Sequence, residues 1–138
     1  MSVFTEKEIE YILSQRLGRL ATVRPDGAPQ IAPVGFRYNA ELDVIDIGGR
    51  FMSKSKKFRN ILQNPNVAFV IDDVLPPWQP RFVEIRGTAQ PLPTGGKALF
   101  GANYEADDAI IRIVPGQIIS YGLEEGTGWA NNRKVERE

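Results

Sequence analysis

The chain has 138 residues, 42% hydrophobic and 25% charged, and 17 Lys and Arg balance 17 Asp and Glu; this suits one globular domain spanning 1–138 and argues against a dedicated nucleic-acid binder. Cysteine and histidine are both absent, which excludes disulfides, thiolate nucleophiles, Ser-His-Asp triads, histidine-held zinc or haem, and imidazole proton shuttles. There is no run of about eighteen apolar residues and no basic-then-apolar leader, so the expectation is a cytoplasmic protein with no membrane partner. If the chain is an enzyme, a bound cofactor should carry the demanding chemistry.

Thr5 and Glu8 form a T-x-x-E capping box ahead of Ile9, Ile12 and Leu13, which predicts a short amphipathic helix over 5–15. "RLATV" (19–23) reads as a strand closed by the turn "RPDG", with Pro25 and Gly27 in turn positions. "QIAPVGFRY" (30–38) reads as a second strand. Pro33 and Gly35 interrupt it, so it is an edge, a bulge or a place where something lies flat on the backbone. "LDVIDIGG" (42–49) alternates, with Leu42, Val44 and Ile47 on one side and Asp43 and Asp46 facing away.

A basic segment follows, with a helix carrying Phe58, Ile61 and Leu62 on one stripe and stopping at "NPN" (64–66). "VAFVIDDV" (67–74) and "FVEIRGTAQ" (82–90) are strands flanking the loop "LPPWQPR". Residues 94–108 read as a weakly helical or irregular connection, and 109–123 as two strands broken at Pro115-Gly116. The tail 124–138 is polar and expected to be partly mobile. Six or seven short strands with few peripheral helices predict a mainly β fold with minor α, a small antiparallel barrel.

The basic segment is the anomaly. Arg50, Lys54, Lys56, Lys57 and Arg59 crowd into ten residues, and no Asp or Glu occurs between Ile47 and Ile71. If Ser53 or Ser55 caps the helix, Lys56 and Lys57 lie in its first turn. The free amides there already carry about half a positive charge, so each added cation costs a few tenths of a kcal/mol to about one. An anion reverses that penalty: amides, a serine hydroxyl and ammonium groups together make a phosphate cradle. The bland alternative is a charged face neutralised by acids elsewhere in the fold, such as Asp72 or Glu84.

The order of "GRLATVRPDGAPQIAPVGFRY", "LDVIDIGG", "SKKFRNILQNPNVAFVIDD", "VEIRGTAQ" and "AIIRIVPGQIISYGL" resembles the split-barrel flavin-binding proteins related to pyridoxamine 5′-phosphate oxidase. Within them it resembles the branch that uses the deazaflavin coenzyme F-420. The most specific piece is a serine, basic residues and R-N-L before an N-P turn, met here as Ser55, Lys56, Lys57, Arg59, Asn60 and Ile61. The resemblance implies an FMN-binding split barrel in which Ser55 and Lys57, with Lys56 or Lys54, hold the cofactor phosphate. It also implies that Ala32, Pro33, Val34 and Gly35 lie beneath the ring. A homodimer with two sites at its interface is implied too, with Trp129 or Asn132 reaching the partner's cofactor. The chain lacks the Arg-rich C-terminal signature of the vitamin B6 oxidases, so oxidation of pyridoxamine phosphate is not expected.

The implied activity is an oxidoreductase passing hydride between F-420 and a small substrate with an activated double bond. FMN in the same fold and a cofactor carrier without turnover are the alternatives. Trp78 is expected to fill an interface or plug the barrel, or else to wall the cofactor pocket, and Arg81 to add an anion contact or lie on the surface. Asp72-Asp73 is rejected as a metal site because adjacent strand carboxylates point to opposite faces. Tyr38, Tyr104 and Tyr121 are conceivable proton donors better explained by packing.

Overall fold

Thr5 opens the first helix as its sequence requires. Its hydroxyl accepts from the Glu8 amide at 3.1 Å, and Glu8 returns a carboxylate oxygen to the Thr5 amide at 2.9 Å. In the computed structural model, which describes residues 1–101, 105–124 and 130–137, this helix is α1 (Glu6–Ser14). The strands are β1 (Leu17–Val23), β2 (Pro29–Asn39), β3 (Val44–Gly48), β4 (Asn66–Leu75), β5 (Gln79–Leu92), β6 (Ile110–Tyr121) and β7 (Asn131–Lys134). A single 3-10 turn (Met52–Lys54) and α2 (Lys56–Gln63) lie between β3 and β4, and α3 (Gly96–Phe100) lies between β5 and β6.

The sheet runs β3-β2-β1-β4-β5-β6-β7, every pairing is antiparallel, and β3 also pairs with β6. That last pairing closes β1 to β6 into a six-stranded barrel and leaves β7 as an extra strand. Period-two alternation sends Leu20, Phe69, Ile71, Val83, Ile85, Ile111, Ile113 and Ile118 inward, all almost fully shielded. A Cβ on Gly18 would stand 2.3 Å from the Phe69 ring, so the strand opposite that phenyl must carry glycine there.

The assembled sheet changes three of the expectations. Asp46 does not face solvent: β3 lies between β2 and β6, and its carboxylate is fully buried against Arg112 at 2.8 Å and Asn39 at 2.9 Å. Residues 110–121 are one strand, because Gly116 is absorbed as a bulge between the Gly87–Pro115 and Arg86–Gln117 pairs. The close approach is tight enough that a Cβ on Gly87 would meet the Val114 carbonyl oxygen at 2.1 Å. The polar tail supplies β7, because Arg133 reaches the buried Glu8 carboxylate at 2.5 Å. Ser120 donates to the same carboxylate at 2.6 Å, so the capping glutamate also ties α1 to β6 and β7.

Trp78 does not plug the barrel of its own chain. It stands 74% exposed at the tip of the β4–β5 hairpin, beside the cis Pro76-Pro77 bond. The hairpin base is pinned to α1, where the Tyr11 hydroxyl donates to Asp73 at 2.8 Å and the Arg81 guanidinium lies 4.9 Å from the Tyr11 ring centroid.

Candidate functional site

Ser55 is the N-cap of α2. Its hydroxyl accepts from the Phe58 amide at 3.3 Å and donates to the Met52 carbonyl at 2.7 Å. Lys56 and Lys57 therefore occupy the first turn, and their amides have no intrahelical acceptor. Ser53 belongs to the preceding 3-10 turn, where its amide and hydroxyl both donate to Asp107 at 3.0 and 2.7 Å. Those two donors hold the Asp107 carboxyl below the usual carboxylate range. No local pattern marks this partner in the sequence, since it lies 54 residues away.

The acids that might have neutralised the cluster are engaged elsewhere. Asp72 pairs with Arg19 at 2.8 Å and Glu84 with Arg86 at 2.6 Å. Arg50 has a carboxylate, that of Glu105. Among the described residues, none meets Lys54, Lys56, Lys57 or Arg59. Lys54 and Lys56 are exposed, while Lys57 is half-buried, and that desolvation alone pushes its ammonium below the ordinary lysine value. The chain thus folds with an unpaired cation partly withdrawn from water at a helix start.

Two anchors set this segment against β2. At one end Gly48 pairs with Gly35. At the other, the buried Asn60 amide donates to Gln30 and Thr22, each at 3.0 Å. The Gly49-to-Asn60 stretch therefore runs beside residues 30–35, a span of roughly 17 Å at about 3.3 Å per residue. Over 29–34, β2 is laddered only to β1, and β3 joins it from Gly35 onward. Pro33, which has no N–H to donate, sits on that one-sided stretch. Ser55 and Lys57 thus lie on a segment whose two ends are fixed at either end of the half-open stretch that holds Ala32, Pro33, Val34 and Gly35.

Trp78 and Arg81 lie on the β4–β5 hairpin, which the sheet order separates from β2 by β1. Arg81 is also held bidentate by Asp73, at 2.9 and 2.6 Å. Asp72 and Asp73 bind different arginines on different faces, as alternation requires. Tyr38 gives its hydroxyl to Asp43 at 2.6 Å, and Tyr121 stacks on Phe82 at 5.9 Å, both packing roles. Asn132 pairs with Ile119 and accepts from Gln117 at 2.8 Å; Tyr104 and Trp129 lie outside the described residues.

Residues 4–120 match the family model described as pyridoxamine 5′-phosphate oxidase. The chain belongs to the pyridoxamine 5′-phosphate oxidase family. A family relative from Streptomyces rimosus, a 5a,11a-dehydrotetracycline/5a,11a-dehydrooxytetracycline reductase, is 47% identical over 123 residues, 88% of this chain and 84% of the relative. Family membership and this relative make the protein an oxidoreductase. General Stress Protein 26 from Bacillus anthracis has the same fold, with a TM-score of 0.68 at 23% identity, covering 94% of this chain and 97% of that one. So does the conserved hypothetical protein Rv2991 from Mycobacterium tuberculosis, with a TM-score of 0.67 at 22% identity over 87% and 86% of the two chains.

Proposed function

We propose that this oxidoreductase reduces an activated carbon–carbon double bond in a small organic substrate, using the deazaflavin coenzyme F-420 held by its phosphate at the start of α2. The observation that carries the reading is the half-buried Lys57, which meets no carboxylate among the described residues, beside Lys54 and Lys56. A phosphate there meets the free first-turn amides and the ammonium groups at once, while the Ser55 hydroxyl caps the helix between Met52 and Phe58. The one-sided stretch of β2 offers Ala32–Gly35 as a narrow floor, with backbone groups for a ring edge. A bound reduced deazaflavin would supply hydride chemistry to the double bond, with solvent as the source of the proton that balances it. The protein's share is to orient the two rings and exclude water between them. The Streptomyces relative's name places its own chemistry at a 5a,11a-dehydro position, which supports this substrate class.

The homodimer belongs to the same proposal. The outer face of β2, β1 and β4 carries Ile31, Ala21 and Ala68 in one row and Pro33, Arg19 and Val70 in the next. Ile31 is 68% exposed and Leu17 49%. A second copy seated on this face would cover those residues and bring its hairpin tip, with Trp78 and Arg81, toward the cofactor. The test is equilibrium titration of wild-type protein with coenzyme F-420 and with FMN, followed by oxidation of the reduced form by conjugated enones. Tight F-420 binding with enone-dependent turnover is expected. Tight FMN binding with weak F-420 binding would transfer the assignment to FMN, and binding without turnover would make the protein a carrier.

A further inference from the structure

Phe51 is the residue whose placement no packing explains. It is a bulky side chain in the left-handed backbone region, at φ 56°, and it is 72% exposed. That conformation is costly for a residue with a Cβ and is normally left to glycine, asparagine or aspartate. An exposed phenyl returns nothing for it in the isolated chain. The segment around it is nevertheless firmly set: the Lys54 amide bonds the Phe51 carbonyl at 3.0 Å, and Asp107 holds Ser53 by two hydrogen bonds.

The ring borders a cleft of about 610 Å³ lined by Arg50, Phe51, Ser53, Lys54, Ala106 and Asp107, together with Glu105, a volume in the range of small-molecule sites. The charges there are unevenly satisfied. Glu105 is paired with Arg50, and Asp107 is bonded to Ser53, whereas Lys54 meets no carboxylate among the described residues. The cleft therefore offers a flat apolar surface with an unpaired cation three residues away along the chain. That combination fits a planar conjugated ring bearing an anionic oxygen or phosphate.

We infer that Phe51 is a stacking platform for a planar, anionic conjugated ring, with Lys54 facing its negative charge. The inference rests on the cofactor reading above, which lays the cofactor ring on Ala32–Gly35, and adds Phe51 as a further surface for a conjugated ring, whether the cofactor's or the substrate's. The chemistry is shared by cofactor and substrate, and the experiment separates them. Phosphate, which has no ring, is titrated beside F-420 and FMN into wild type, Phe51→Ala, Phe51→Gly, Phe51→Trp and Lys57→Ala, and the KM for an enone substrate is measured with each variant that turns over.

Phe51→Ala should weaken ring-bearing ligands about three- to tenfold while leaving phosphate affinity unchanged, and Phe51→Trp should restore it. A loss in cofactor affinity assigns the ring to the cofactor, and a rise in KM alone assigns it to the substrate; either supports the platform. Phe51→Gly should leave the apo melting temperature unchanged or higher, since glycine accepts the left-handed conformation. Unchanged affinity and KM in Phe51→Ala would overturn the inference. So would a fall of many degrees in Phe51→Gly, which would make the residue structural, and so would wild-type protein that binds phosphate but neither ring. Lys57→Ala acts on the phosphate reading instead: if it leaves phosphate and cofactor affinity intact, that reading fails while the Phe51 result stands or falls separately.

Discussion

At the scale of single residues, Lys57 concentrates the energetic argument. An ammonium group with no carboxylate partner among the described residues, half-withdrawn from water beside free helix amides, is a local cost that folding elsewhere must offset. Its folded-state pKa lies below the ordinary 10.5, so the folded state bears a desolvation cost wherever the group is charged. That cost fades as pH rises through the lowered folded value toward 10.5. Lys57→Met should therefore be at least as stable as wild type in the apo form at pH 7, with the difference shrinking toward pH 10.5, as read from urea unfolding across that range. A large loss of apo stability at pH 7 would mean that the lysine is structural. The run of lysines without nearby acids was legible in the chain itself. That Asp72 and Glu84 would be taken by Arg19 and Arg86 was not, because strand register decides which charges face each other.

Among the elements, those governed by local rules matched the sequence: the capping box of α1, the serine cap of α2 and the existence of strands β4 and β5. Those governed by distant partners did not. Asp46 reads as a solvent-facing strand residue until β6 arrives to cover it with Arg112, and the polar tail reads as mobile until Arg133 finds Glu8 across 125 residues. Burial pushes the Glu8 carboxyl up, but the hydrogen bonds from Arg133, Ser120 and the Thr5 amide outweigh it and leave the group below its ordinary 4.5. A lowered carboxylate stabilises the fold above 4.5, and that contribution is lost as pH falls through the folded value. Glu8→Gln should thus cost about 2 kcal/mol at pH 7, since Arg133 is left partly buried without its counter-charge. The mutant's denaturation midpoint should also vary less with pH below 4.5 than that of wild type. A mutant as stable as wild type at pH 7 would show that the β7 attachment is incidental.

For the molecule as a whole, strand count and barrel class followed from spacing and turn chemistry, while closure through β3–β6 rests on contacts between residues more than sixty apart. Closure also creates the candidate site. Because β3 leaves β2 at Gly35 and Asn60 fastens α2 back at Gln30, the basic segment starts and ends at the two ends of the half-open strand. The Ala32–Gly35 stretch and Ser55–Lys57 were visible as separate motifs, and their adjacency is a property of the barrel. The most direct measurement is a crystal structure of the protein grown with coenzyme F-420. The account predicts the cofactor phosphate in hydrogen-bonding contact with Lys57 and the first amides of α2, its ring along Ala32–Gly35, and a second copy closing over it. A phosphate bound away from α2, with Lys57 salt-bridged to a carboxylate of the protein, would contradict it.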